Sequence, residues 1–183
     1  YVRRSVSNHL NDLCRVDPAL ALEVAGSWLA DADASNAQTR EWVVRRGLRT
    51  LVKAGDASAM RLLGHDPDVA VRAELVMSTP KVAMGEAAEW VLHLESLDTE
   101  THRVVVDYAI HHVRADGSTG RKVAKWTTVE LRPRQRVELA RRHRIVPITT
   151  RTYHSGDHVV EVQVNGVVVA RGSFDLVVDG AGA

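Results

Sequence analysis

Trp42, Arg45, Arg46, Arg49 and Lys53 recur at three- and four-residue spacing, the period that gathers side chains on one stripe of a helix. Val44, Leu48, Leu51 and Val52 fall on the opposite side. A second polar stripe, Arg4, Asn8, Asn11, Asp12 and Arg15, lies near the start of the chain. Cationic stripes neutralise phosphates, and Asn and Arg donate to phosphate oxygens or base edges. A polyanion such as nucleic acid is the partner this pattern points to, with Arg4, Asn8, Asn11, Trp42, Arg45, Arg46, Arg49 and Lys53 as candidate contacts. An ordinary solvated helix face carries the same residue types; two such faces on repeat-related helices favour binding. Asp12 is the one carboxylate in the stripes. It is the candidate catalytic group, because a carboxylate there would stabilise positive charge developing on a sugar. A salt bridge to Arg15 or Arg46 is the competing reading.

A second basic cluster comprises Arg132, Arg134, Arg136, Arg141, Arg142, His143 and Arg144, with Arg151 beyond. Residues 121–151 hold 10 Lys/Arg against 2 Asp/Glu, although the whole chain has a net charge of only +1. Such density suggests a polyanion; a strand edge kept basic against aggregation is the alternative. Arg132 to Arg136 surround Pro133 in an expected strand connection, where recognition residues often sit. Arg134, Arg141, Arg142 and Arg144 are added to the candidate DNA contacts.

Other chemistries find little support. His154 and His158 are four residues apart, but no Cys or carboxylate pattern joins them, so no metal is expected. His111 and His112 should alternate between the faces of a sheet. Neither a Gly-rich phosphate loop nor a nucleophile elbow is present, and no cofactor is implied. The single Cys14 excludes an internal disulfide and suggests a reducing compartment. No run of 18 apolar residues occurs, so no membrane span and a cytoplasmic location are expected.

The elements that must position these residues change character along the chain. Residues 1–66 have helical periodicity. Val2, Val6, Leu10 and Leu13 predict the buried face of a first helix. Asp17-Pro18 is a capped start for a second, whose Leu20, Val24, Trp28 and Leu29 should be largely buried. A third is expected from Ala37 to Gly55, and a short fourth from Ala57 to Leu63. Val2 to Asn8 reads against Val44 to Thr50 at an offset of 42, within the range of HEAT and armadillo repeats. Such repeats stack in arrays, so the chain, which starts at Tyr1 inside a helical pattern, is expected to be the end of a longer one.

Residues 67–179 alternate with period two. Val69 to Met77, Trp90 to Leu94, Val104 to Ile110, Lys122 to Leu131, His158 to Val164 and Val167 to Ala170 read as strands. Asn165-Gly166 signals a type I′ hairpin. Seven or so short strands predict an antiparallel immunoglobulin-like β-sandwich. Residues 180–183 are expected to be a flexible tail. The fold class is therefore multidomain, α then all-β.

YVRRSVSNHLND at 1–12 and WVVRRGLRTLVK at 42–53 resemble the HEAT-like-repeat DNA alkylation repair proteins. DYAIHHV at 107–113, KVAK at 122–125, YHSGDH at 153–158 and VQVNG at 162–166 are similar to the AlkC-type 3-methyladenine DNA glycosylases, some of which carry an immunoglobulin-like domain after the repeats. The resemblance implies a monomeric glycosylase that removes cationic alkylated bases such as 3-methyladenine without metal or organic cofactor. It implies a lesion held, largely stacked, against a concave repeat surface, with carboxylates and aromatic faces stabilising the sugar oxocarbenium ion. Asn8, Asn11, Asp12, Trp42, Arg45, Arg46 and Arg49 are the positions it carries over. A non-catalytic HEAT-plus-sandwich module that binds DNA or protein is the alternative.

Overall fold

The computed structural model describes residues 1–178, and the chain divides between Pro67 and Asp68 into two compact units. The tail expected at 180–183 lies outside the described residues.

The first unit contains helices α1 (Val2–Val16), α2 (Pro18–Ala30), α3 (Ala37–Gly47), α4 (Arg49–Ala54) and α5 (Ala57–Leu62). Their ends follow local chemistry. Asp17 caps α2, its carboxylate accepting from the Leu20 amide at 3.0 Å, with Pro18 in the first turn. Asp56 caps α5 through the Ala59 amide at 2.8 Å. Gly55 (φ 79°) ends α4 in the left-handed conformation that glycine adopts without a Cβ penalty.

Three expectations need correction. The third helix is not continuous, because Leu48 (φ −78°, ψ 6°) interrupts it. Hydrogen bonds from Leu48 N to Val44 O and from Val52 N to Leu48 O carry the chain across the break. The buried face of α1 is Ser7, Leu10, Asn11 and Cys14, while Val2 and Val6 are exposed. Two polar residues belong to this face because each has a local or cross-helix acceptor or donor. Ser7 donates to the Arg4 carbonyl at 3.0 Å, and Asn11 Oδ1 accepts from Thr50 Oγ1 at 2.9 Å. In α2 the small residues Ala21 and Ala25 are the buried ones; Leu20 is exposed, and Val24, Trp28 and Leu29 are half-buried.

Gly47 sets how closely α1 approaches α3. A Cβ there would lie 2.5 Å from Leu10 Cδ2 and 3.0 Å from Leu10 Cβ. Both residues are buried, so the contact has little room to relax.

The second unit is a two-sheet sandwich. The three-stranded sheet has the order β1-β3-β6, from β1 (Val71–Met77), β3 (Ala87–Ser96) and β6 (Arg136–Arg144). The five-stranded sheet has the order β2-β8-β7-β4-β5, from β2 (Lys81–Ala83), β8 (Val167–Val177), β7 (Gly156–Val164), β4 (His102–Val113) and β5 (Thr119–Leu131). All pairings are antiparallel except β2 with β8. Asn165 (φ 47°) and Gly166 (φ 85°) both take positive φ, as a type I′ turn requires. Asn165 Oδ1 also accepts from the Val105 amide at 2.8 Å, tying the hairpin tip to β4. Trp90, Tyr108 and Trp126 meet edge to face at 5.3–6.3 Å between centroids within the core.

Two strands lack a sequence expectation. β2 is only three residues, between Pro80 and Gly85. β6 holds Arg136 to Arg144 of the second basic cluster as an edge strand, while Arg132 and Arg134 lie in the expected connection between β5 and β6.

Substituting Gly47→Ala tests the close approach. In a free helix interior the change stabilises by about 0.5–1 kcal/mol. Here overpacking against Leu10 reverses the sign, with a net loss of about 1–2 kcal/mol in helical-unit stability. Urea denaturation followed by helical circular dichroism measures it; a gain in stability would contradict the contact.

Candidate nucleic-acid interface

The helical unit gathers most of its sequence-predicted stripe. Trp42, Arg45 and Arg46 are exposed on α3, and Lys53 is exposed at the end of α4. The guanidinium carbons of Arg46 and Arg3 lie 5.7 and 5.8 Å from the Trp42 ring centroid. Such cation–π contacts hold two cations beside a ring that is itself 41% exposed. Arg49 joins the helices: Nη1 donates to the Arg46 carbonyl at 2.8 Å and Nη2 to Asn8 Oδ1 at 3.3 Å. Arg4 and Asn8 are exposed on α1. Sequence reading missed Arg3, whose proximity to Trp42 depends on how α1 packs on α3.

Other members are engaged differently. Arg45 Nη2 donates to Glu41 at 2.8 Å across one helical turn. Asp12 pairs with Arg15 at 3.6 Å, and both side chains are about two-thirds exposed (68% and 64%). The Arg15 partnership is therefore observed, on an open surface. Asn11 is corrected outright: it has no exposed area and bonds Thr50 inside the unit, so it cannot touch DNA.

The sandwich disperses the second cluster. Along β6 the side chains alternate, so Arg136, Arg142 and Arg144 face outward and Arg141 inward. Arg141 Cζ lies 5.0 Å from the Tyr108 ring centroid, and its Nη2 donates to the Tyr108 hydroxyl at 3.2 Å. Arg141 is thus a structural arginine and leaves the set of surface contacts. Two of these outward arginines meet carboxylates of the paired strand. Arg142 bonds Glu89 at 2.8 Å, and Arg136 and Arg72 flank Glu95 at 3.2 and 3.3 Å. Two cations of the basic segment, Arg136 and Arg142, are therefore paired across the ladder. Arg144 and Arg134 remain exposed; Arg134 (φ 55°) sits in the turn closed by Gln135 N to Arg132 O at 3.0 Å.

His111 and His112 do alternate. On the outer face, the Glu161 carboxylate lies 3.1 Å from His111 Nε2, 3.4 Å from Arg121 Nε and 3.0 Å from Arg171 Nη2. Burial raises the Glu161 pKa, but the hydrogen bonds from His111 and Arg121 and the Arg171 charge outweigh it, leaving the carboxyl below its usual value. On the inner face, His112 and His158 are buried with Nδ1 atoms 3.2 Å apart. His158 Nε2–H donates to the His154 carbonyl at 3.0 Å, so its Nδ1 must accept from His112 Nδ1–H. His112 Nε2 is then an acceptor for Arg151 Nη1. Both rings are neutral in this arrangement. Burial, reinforced by Arg151 and His158, pushes His112 down to about 3, and burial also lowers His158. No group of three or more metal-ligating side chains occurs among the described residues. None of their helices is long and apolar enough to cross a membrane.

Two outcomes follow from this geometry. An unfolded histidine titrates near 6.5, so the unfolded state binds the extra proton first as pH falls. Stability of the sandwich should therefore fall between pH 6.5 and about 3, with His112 contributing up to about 1.4 kcal/mol per pH unit. Denaturation across that window should show a shallower slope for His112→Gln; an unchanged slope would refute the neutral pair. In the helical unit, Arg46→Gln should lower the salt slope of duplex binding by about one. Glu41→Gln, which frees Arg45, should tighten binding at low salt. Equal slopes in a salt titration of both variants would mean a merely solvated face.

Residues 71–178 match the family model described as the C-terminal immunoglobulin-like domain of the uncharacterised protein YhaZ. The uncharacterised protein YhaZ of Bacillus subtilis (strain 168) is 31% identical over 169 residues, 92% of this chain and 45% of that protein. Among solved structures, the Pseudomonas fluorescens alkylpurine DNA glycosylase AlkC, bound to DNA containing an abasic-site analogue, matches with a TM-score of 0.86. The identity is 31%, over 97% of this chain and 48% of AlkC. The chain thus spans about half the length of the relatives it matches. The likeness to AlkC covers the whole layout of helices followed by sheets. With residues 71–178 matched, more than half of its length, the chain belongs to the family of the YhaZ C-terminal immunoglobulin-like domain.

Proposed function

We propose that this chain is the DNA-contacting C-terminal portion of an alkylation-repair DNA glycosylase. Its reaction is hydrolysis of the N-glycosidic bond of cationic alkylated bases such as 3-methyladenine. The observation that carries this reading is the likeness of both units to AlkC, a glycosylase solved on DNA. The surface of Arg3, Asn8, Trp42, Arg46 and Arg49 supports it with chemistry suited to a phosphate backbone. The helices are read as the end of a HEAT-like array, on the strength of the 42-residue offset in the sequence.

The proposed chemistry asks little of the protein. A cationic base is already a good leaving group, so no metal or organic cofactor is needed. What remains is stabilisation of the oxocarbenium ion and admission of a water. Asp12 is the proposed stabilising carboxylate. Its pairing with Arg15 is an exposed contact, which contributes little and is readily exchanged when phosphates compete for Arg15.

That same pair favours a second reading, a non-catalytic module that binds duplex DNA. A carboxylate held by an arginine on an open surface is the ordinary state of a surface residue. The full-length gene product, assayed for release of 3-methyladenine from methylated duplex DNA, separates the two. Release is expected, and Asp12→Asn should lower its rate by about 10²–10³-fold. No release above background with DNA binding intact would leave only the binding module.

A further inference from the structure

Between the β4–β5 hairpin and the connection from β6 to β7, the sandwich carries a depression of about 260 Å³. Its lining includes Arg114, Arg121, Lys122, Thr150, Arg151 and Thr152. Four of these are cations, and no carboxylate lines it. Arg121 bonds Glu161 at 3.4 Å. Arg114, Lys122 and Arg151 enter none of the ion pairs among the described residues. This differs from the β6 face, where the arginines meet Glu89 and Glu95 across the ladder.

Arg151 is fixed before any ligand arrives. Its Nη1 donates to His112 Nε2, and its guanidinium carbon lies 5.5 Å from the Tyr153 ring centroid. The buried His158–His112 pair thus aims a full positive charge at the depression while offering it no counter-ion. Gly120 makes room for a second guanidinium: a Cβ there would lie 3.1 Å from Arg114 Nε and Nη2. Two planar guanidiniums and an ammonium, with Thr150 and Thr152 beside them, suit a tetrahedral oxyanion. The volume falls below the roughly 300–1,000 Å³ of pockets that enclose larger organic ligands, so the depression suits one small group.

We propose that this depression is a phosphate-binding site. The chemistry is the same for free phosphate and for a phosphate carried on a nucleic-acid strand, and the inference stands apart from the glycosylase reading.

The test is titration of the full chain with inorganic phosphate at constant ionic strength, followed by backbone amide and arginine Nε–H resonances. Saturable shifts are expected at residues 112–122 and 149–153. Arg114→Gln and Lys122→Gln should each weaken phosphate by about tenfold, the loss of one charge-assisted contact, with the remaining spectrum unchanged. Displacement of phosphate by a short duplex assigns the site to a nucleic-acid phosphate. Displacement by adenosine monophosphate but not by duplex assigns it to a free phosphate ligand. Either outcome supports the site. No saturable shift in these segments, or shifts that both variants leave unaltered, overturns it.

Discussion

The helical unit depends on one steric constraint, the contact of Leu10 with the bare backbone of Gly47. It sets the distance between α1 and α3, and every candidate on the exposed face inherits its position from that distance. Arg3 reaches Trp42 because α1 lies against α3. Arg49 reaches Asn8 for the same reason. Beneath them, Thr50 and the buried Asn11 close a hydrogen bond that fixes the rotation of one helix against the other. A larger residue at position 47 would move all of these at once.

In the sandwich, charge is organised by partners rather than by density. The richest basic segment of the sequence becomes an edge strand on which Arg136 and Arg142 are met by glutamates of β3. The sparser set of Arg114, Lys122 and Arg151 enters none of the ion pairs among the described residues, and Arg151 is held by the neutral His112. Electrostatic function follows the uncompensated charge, which only the strand register reveals. The neutral His158–His112 pair also links this arrangement to folding, because protonating either ring would unfavourably charge the interior.

The two-part architecture was legible because its signals are local. Period-two alternation, the Asp17-Pro18 start and the Asn165-Gly166 turn each rest on a few neighbouring residues. The Arg15 partner of Asp12 and the separation of His111 from His112 were legible for the same reason. What was not legible depended on residues far apart in the chain. Asn11 looked like a surface amide until Thr50 was placed opposite it. Arg141 looked like a phosphate contact until β6 was paired and Tyr108 lay beneath it. Val2 and Val6 fit an apolar face by spacing, but the packing of α3 chose the face of Ser7, Leu10, Asn11 and Cys14. β6 escaped because its arginines obscured the alternation that Val137, Leu139 and the half-buried Arg141 maintain. No local pattern marks the phosphate site, whose residues come from β4, β5 and the connection before β7.

The claim most open to direct test is that the face shared by α1 and α3 is where this chain meets DNA. Hydrogen exchange of the full chain, measured with and without duplex DNA at low salt, reads that face segment by segment. The account predicts slower exchange on DNA addition in the peptides spanning 2–15 and 37–53. Binding of the duplex with exchange in both segments unchanged would contradict it.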